Sequence, residues 1–303
     1  MTTAGQARGP CCTVAVLVTH RASIADLATL LCALAGQVDG VVLVDNGSGP
    51  DLQARITGLL AQKLPETVQK QTLFLPENVG IGQAQNQGIA LARQQMAADH
   101  ILLSDQDSAP APDMVSRLHD ALHSLASGPE PVAVVGPDYN EDQRGIPPAS
   151  ASVSADVVAR PAVISSGALI PVAALDAIGA FDAELFVDFV DTEWCFRAGA
   201  AGWGCYVARR ARMAHQIGRP GPRFAGRRMA LHSPERMYYQ LRNLLLLMRR
   251  ATAPWGWGMR MLPRYLGRSL LFSLLCPPRW QRAKYTLLGV WHGIRGRSGA
   301  LGA

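Results

Sequence analysis

The sequence predicts an α/β fold: a Rossmann-like, mainly parallel sheet with helices on both faces, followed by a basic, amphipathic helical tail. Three observations predict it. Short β-branched apolar runs alternate with helix-length amphipathic segments through the first half of the chain, the pattern of a parallel sheet with crossover helices. The runs are continuously apolar rather than alternating, as strands covered on both faces are. The charge divides along the chain. Residues 207–303 carry 19 Lys+Arg against the single acid Glu235, a net +18, while residues 1–206 carry 10 bases and 22 acids, a net −12, which together give the chain its +6.

The run from Thr13 to His20 is the first strand and breaks at Thr19-His20-Arg21. Ser23 caps a helix over Ile24–Ala35, with Asp26 in its first turn. Gly40–Val44 is the second strand and ends in Asp45-Asn46-Gly47-Ser48, a turn for residues that tolerate positive φ. A helix with Leu52, Ile56, Leu59 and Leu60 on one face follows. Gln71–Leu75 is the third strand, and the Gly-rich turn Glu77–Gly82 leads into a helix over Gln83–Ala97. The fourth strand, Ile101–Ser104, stops at Asp105-Gln106-Asp107-Ser108. Two carboxylates one residue apart at a strand's carboxyl end suit a hard divalent cation, Mg²⁺ or Mn²⁺, which can also hold a diphosphate. Alone, such a pair also recurs as a turn cap. The polar turns at Thr19, Asp45, Asn78 and Asp105 all follow strand ends, so they are expected along one sheet edge as one site.

Further on, Val132–Gly136 reads as a fifth strand and Asp138–Ala159 as a loop over the site. Ile164–Ile170 reads as a strand whose small residues, Ser165, Ser166 and Gly167, let a substrate approach the backbone. Asp182, Asp188, Asp191 and Glu193 stand among aromatics that lead into a helix over Thr192–Ala201. Ser233-Pro234-Glu235 starts another helix, with the apolar stripe Met237, Leu241, Leu244, Leu245 and Met248, closed by Arg249-Arg250. Beyond Pro254, tryptophans and tyrosines are interleaved with arginines in apolar segments too short to span a bilayer. That pattern fits interfacial helices on an anionic membrane, or a tail that packs on the domain or on a second copy. The expected layout is a disordered N-terminus over residues 1–12, a catalytic domain over 13–250 and a membrane-associating tail over 251–303.

Several classes are set aside. Gly80-Ile81-Gly82-Gln83-Ala84-Gln85 lacks the third glycine of a dinucleotide-binding fingerprint and follows the third strand, not the first. No phosphate-binding Gly-x-x-x-x-Gly-Lys-Ser/Thr loop and no Cys-x-x-Cys pair occurs. Met1–Pro10 has no apolar core of a signal peptide, which makes the reducing cytoplasm the expected compartment. The basic tail alone raises nucleic-acid binding, and no motif supports it.

The ordered motifs carry a resemblance. Val18-Thr19-His20, Val44-Asp45-Asn46-Gly47-Ser48, Asn78–Asn86, Leu103–Ser108, Ser166-Gly167-Ala168, Gly179–Asp182, Phe186–Cys195 and Ser233–Asn243 together resemble the inverting family 2 glycosyltransferases of the GT-A fold. More narrowly, they resemble the bacterial rhamnosyltransferases that build O-antigen and related polysaccharides. The similarity covers about residues 13–250. One departure is Thr19-His20-Arg21, where the family often has Thr-Tyr-Asn; His20 would then take the base-stacking place.

The resemblance implies the following roles. Asp107 binds the metal directly, with Asp105 on the metal or the ribose. Thr19, His20, Asp45, Asn78, Gly80 and Asn86 line the donor nucleotide, although Asp45 and Asn78 would serve equally as turn residues. Asp191 is the catalytic base; Asp188 and Glu193 compete for that role or bind acceptor, and Glu193 alternatively anchors its helix. Gly167 and Trp194 lie toward the acceptor, with a core place open to Trp194. His215 is a third metal or diphosphate contact, or structural. The donor implied is dTDP-β-L-rhamnose and the acceptor a saccharide, often lipid-linked, met on the inner face of the cell membrane; homo-oligomerisation is compatible. The rivals are a UDP-sugar donor and a non-catalytic scaffold of a polysaccharide-assembly complex.

Overall fold

The computed structural model describes residues 11–139, 156–215, 219–224 and 227–302. Strands β1 (Thr13–Thr19), β2 (Gly40–Asn46), β3 (Gln69–Leu75) and β4 (His100–Asp105) lie parallel in the order β3-β2-β1-β4. Every residue of β1 and β2 is buried, as their unbroken apolar runs require. Alternate side chains feed two cores, one on each sheet face. Val14, Val16, Val42 and Val44 pack under helix α3 (Ile81–Met96). Ala15, Leu17, Val41 and Leu43 pack under α1 (Ile24–Leu34) and α2 (Pro50–Lys63). The cap at Ser23 forms, its side chain accepting from the Asp26 amide.

Beyond β4 the sheet becomes mixed. The added strands are β5 (Ser108–Pro110), β6 (Val132–Tyr139), β7 (Val157–Ala159), β8 (Leu169–Pro171) and β9 (Gly204–His215), with α4 (Met114–Leu125), α5 (Val172–Ile178) and α6 (Val190–Ala200) between them. The order continues β4-β8-β6-β9-β5, with β7 beside β9. β8 runs antiparallel to β4 and β6, and β5 and β7 run antiparallel to β9. The strand expected over Ile164–Ile170 shortens to β8 because Ala168 bonds back to Ser165 and Gly167 takes φ +77°, a turn that no strand continues through. Of the expected loop over 138–159, residues 140–155 lie outside the described residues, and Val157–Ala159 is β7. A small antiparallel pair, β10 (Arg219–Phe224) and β11 (Arg227–Leu231), precedes the last helices.

Those helices are α7 (Pro234–Met248), α8 (Trp255–Leu275) and α9 (Arg279–Arg295). The expected domain boundary at residue 250 falls inside this helical unit. Met237 of α7 shares a buried cluster with Phe272 and Cys276 of the α8 end. Gly289 and Gly293 let α9 close onto α7: a Cβ there would lie 2.6 Å from the Tyr238 carbonyl oxygen and 2.7 Å from Leu245 Cβ. No helix among the described residues is long and apolar enough to cross a membrane.

α7 also grips the segment before α6. Asn243, fully buried, donates from Nδ2 to the carbonyls of Leu185 (2.9 Å), Val187 (2.7 Å) and Asp188 (2.9 Å), and its Oδ1 accepts from Arg242 Nε at 2.9 Å. Arg242, equally buried, donates to the carbonyls of Leu185 (2.9 Å), Glu184 and Gly299. Asn243→Ala would strip donors from buried carbonyls and an acceptor from a buried guanidinium. We expect a loss of about 2–4 kcal/mol in denaturant unfolding; an unchanged midpoint would remove Asn243 from this role.

Candidate active site

The carboxyl ends of β1, β2 and β4 meet at one edge, in the register Thr19↔Asp45 and Val18↔Asp105. Asp45 is fully buried. Its carboxylate accepts from Thr19 Oγ1 (3.1 Å), the Ser48 amide (3.0 Å), Ser48 Oγ (2.5 Å) and Gln53 Nε2 (3.3 Å). Asp45 and Thr19 therefore build the turn from inside. Asn78 likewise caps its own turn, its Oδ1 accepting from the Gly80 amide (2.9 Å) and Asn46 Nδ2 (3.1 Å). Asn86 spends both ends of its amide on the Phe181 backbone. Gly80 has φ +85°, and a Cβ would sit 2.6 Å from the Phe186 carbonyl oxygen, which accepts from the Ile81 amide at 2.7 Å. The first residue sequence reading missed is Asn46, which ties two turns together by accepting from the Val79 amide (2.8 Å) and donating to Asn78. His20 lies nearer the surface. Its amide donates to Gln106 Oε1 (2.8 Å) and its Nδ1 lies 2.8 Å from the Asn46 carbonyl, so Nδ1 carries the ring proton.

Asp105 and Asp107 are partly exposed at the end of β4. Ser166 holds this turn, its hydroxyl accepting from the Asp105 amide (3.3 Å) and bonded to the Ser108 hydroxyl. β9 brings the His215 backbone opposite Ser108, but the His215 side chain lies outside the described residues. Among the described residues no three metal-ligating side chains cluster. Two hard carboxylates fit Mg²⁺ or Mn²⁺ when phosphate oxygens and water supply the rest of the shell. Gly167 is buried with φ +77°, and a Cβ would sit 2.6 Å from Pro137 Cγ, so packing leaves no room for a side chain.

The third wall is the acidic segment gripped by α7. Phe186, Asp188 and Phe189 all take left-handed φ values of 61–64° without being glycine. Asp188 forms a bidentate pair with Arg236 of α7, at 3.1 Å and 3.0 Å to Nε and 2.9 Å to a terminal nitrogen. Glu193 is buried between Arg197 (2.9 Å) and Arg250 (2.9 Å). Two residues along a helix point to nearly opposite sides, so Glu193 faces away from Asp191 and anchors α6. Trp194 is a core residue: it is buried against Phe181, and its Nε1 donates to the Gly179 carbonyl at 2.8 Å. Asp191 differs from all of these. Its oxygens accept from neutral groups, the Ser165 amide (3.1 Å), the Thr192 amide (2.7 Å) and the Thr192 hydroxyl (3.3 Å). Burial raises its pKa, the hydrogen bonds pull it back, and the Asp188 charge adds to the rise.

Residues far along the chain complete this wall. Arg236 has its charge held chiefly by Asp188 and, less, by Asp105. Tyr265 of α8 packs on Phe189 at 5.4 Å under the Arg268 guanidinium. His232 is pushed down to about 4 by burial first and then by the positive charge of Arg236, with Arg268 and Arg282 adding to it and Asp188 opposing. A histidine buried neutral costs nothing above its unfolded pKa near 6.5 and must be charged below its folded one. Stability should therefore fall as pH drops from about 6.5 to about 4, by roughly 3 kcal/mol, and His232→Gln should flatten that part of the curve. Denaturant midpoints across this range give the check, and parallel curves for the two proteins would reject it.

Residues 14–150, the four parallel strands and the Asp-x-Asp turn among them, match the family described as Glycosyl transferase family 2. The chain is 29% identical over 293 residues to the dTDP-rhamnosyl transferase RfbF of Shigella flexneri, covering 94% of this chain and 96% of that one. Two solved structures share the fold. TarS 1-349 of S. aureus in complex with UDP-GlcNAc has TM-score 0.56 and 16% identity, covering 94% of this chain and 81% of the other. The mannosyltransferase PcManGT of Pyrobaculum calidifontis, in complex with GDP-Man and Mn²⁺, has TM-score 0.56 and 13% identity, covering 94% and 85%. Sheet order, sheet-edge carboxylates and these likenesses agree: residues 14–150 match a family 2 glycosyltransferase domain, and the chain has the GT-A fold.

Proposed function

We propose that this chain is a metal-dependent, inverting rhamnosyltransferase. It transfers L-rhamnose from dTDP-β-L-rhamnose to a hydroxyl of a lipid-linked saccharide, in cell-surface polysaccharide synthesis on the inner face of the cell membrane. The observation that carries the chemistry is Asp191, a half-buried carboxylate with neutral hydrogen-bond partners, while Asp188 and Glu193 are neutralised by arginines. Likeness to a dTDP-rhamnosyl transferase along nearly the whole of both chains supports the donor. A UDP-sugar donor is the second reading, favoured by the fold shared with a protein bound to UDP-GlcNAc.

In this reading the acceptor hydroxyl loses its proton to a carboxylate oxygen of Asp191 as the hydroxyl oxygen bonds to the anomeric carbon. The bond from that carbon to the nucleoside diphosphate breaks on the opposite face, so a β-linked donor gives an α-linked product. The raised pKa makes Asp191 a stronger base than an exposed carboxylate. Asp105 and Asp107 would hold the cation, which when bound offsets negative charge on the departing diphosphate. His20, its ring held by the Asn46 carbonyl, would take the nucleobase-stacking position. Arg236 neutralises Asp188 and so limits how far Asp188 lifts Asp191.

Asp191→Asn should lower kcat about 10²–10⁴-fold and keep donor binding; lost binding would move Asp191 out of the base role. Asp107→Ala should abolish the Mn²⁺-dependent rise in melting temperature with dTDP; a retained rise would refute the cation site. The base must be ionised, so the rate should fall as pH drops through the raised Asp191 pKa. Arg236→Met leaves Asp188 unneutralised and should move that acid limb to higher pH; a limb that stays put or moves down would reject the coupling.

A further inference from the structure

Among the described residues, every exposed large hydrophobic except Phe74 lies in α8 or α9. They are arranged as stripes. On α8, Trp255, Met259, Leu266, Leu270 and Leu274 recur at helical spacing, with Trp255 69% exposed. On α9, Trp280, Leu287, Trp291 and Ile294 do the same, with Trp280 81% and Leu287 70% exposed. Neither stripe is the face that packs inward. α9 turns Arg282, Gly289 and Gly293 toward α7, and α8 turns Trp257, Tyr265 and Phe272 toward the protein. The charge is one-sided too: residues 251–303 hold eight Lys+Arg and no acid. Arg260, Arg264, Lys284 and Arg295 are all exposed on these two helices.

We infer that the outer faces of α8 and α9 form a single embedding surface for an anionic lipid bilayer, and that α8 joins this surface to the catalytic wall. Apolar stripes edged by cations, on helices that cannot cross a membrane, match the interfacial layer, where aromatics and leucines enter the acyl boundary and arginines meet lipid phosphates. The inward face of α8 reaches the acidic segment: Trp257 packs on Phe189 at 5.7 Å and on Phe196 at 5.0 Å, and Tyr265 packs on Phe189 at 5.4 Å. Phe189 lies two residues from Asp191. One helix therefore has lipid on one side and the base-bearing wall on the other, which sets the active site at the bilayer surface. This deepens the proposed function and rests on it for the lipid-linked acceptor; binding to lipid is read without turnover.

The test uses the full chain and sedimentation with vesicles of phosphatidylcholine alone or mixed with phosphatidylglycerol. The wild type should pellet with the mixed vesicles and stay in the supernatant with phosphatidylcholine alone, and added salt should release it. Trp280→Glu with Leu287→Glu should cut the bound fraction on the order of tenfold and leave the melting temperature unchanged. Its melting shift with dTDP and Mn²⁺ should match the wild type's; loss of that shift in both proteins would count against the proposed donor and leave the lipid result standing. A double variant that pellets like the wild type overturns the inference. So does a wild type that ignores both vesicles, and a dimeric mass by light scattering would then give the face to a second copy.

Discussion

The structure depends on a backbone that would not hold its shape alone. Phe186, Asp188 and Phe189 sit in the left-handed region, at a cost on the order of 1–3 kcal/mol each. Such a conformation persists only when its surroundings over-determine it, and here Arg242 and Asn243 do so from inside α7. The carbonyls they bind are those of the strained residues' immediate neighbours and of Asp188 itself. The Phe186 carbonyl, in turn, accepts from Ile81 at the start of α3. The segment that carries the candidate base is thus clamped between a helix of the nucleotide-side half and a helix of the C-terminal half.

The clamp also sorts carboxylates that look alike in sequence. Asp182, Asp188, Asp191 and Glu193 share one short acidic stretch, yet α7 and its following turn supply arginines to three of them: Arg250 to Asp182 and Glu193, and Arg236 to Asp188. An ion pair favours the charged form and makes a poor proton acceptor. Asp191 is left with neutral donors and a raised pKa. Environment, not residue type, separates the candidate base from its neighbours.

What could be read from the sequence follows from range. Continuous apolar runs made β1, β2 and β4 legible, and the polar residues at their ends placed the site edge, because a parallel sheet brings strand ends together whatever the loops do. The side chains within that edge were harder. Asp45, Asn78 and Asn86 carry polar atoms that suit a nucleotide and a turn alike, and the hydrogen bonds they make, like the burial of Asp45, are tertiary properties. β9 was missed because Arg209, Arg210 and Arg212 break its apolar pattern; Cys205, Ala208, Ala211 and Met213 are its side chains buried in the two cores. Arg236 and Tyr265 belong to a wall whose other half lies far back in the chain, and no local spacing encodes that pairing. The motif Tyr-Tyr-x-x-Arg-Asn was visible, but its use as a clamp was not.

The division of charge between the two halves acquires a structural reason from these contacts. An acidic loop beside the sheet-edge carboxylates Asp105 and Asp107 would repel itself, and a second carboxylate near a base raises that base's pKa further. Arg236, Arg242 and Arg250 come from the basic half and are taken up by the loop, in ion pairs or on its carbonyls. Their work is internal, and two of the three meet carboxylates that sequence alone would have left charged and exposed. The cations on the outer faces of α8 and α9 have no acid on their own helices to answer them. The same basic segment thus splits into arginines that pack on the acidic loop and arginines that look outward, and α8 lies at the division, with Tyr265 and Arg268 on its inner side and the apolar stripe on its outer one.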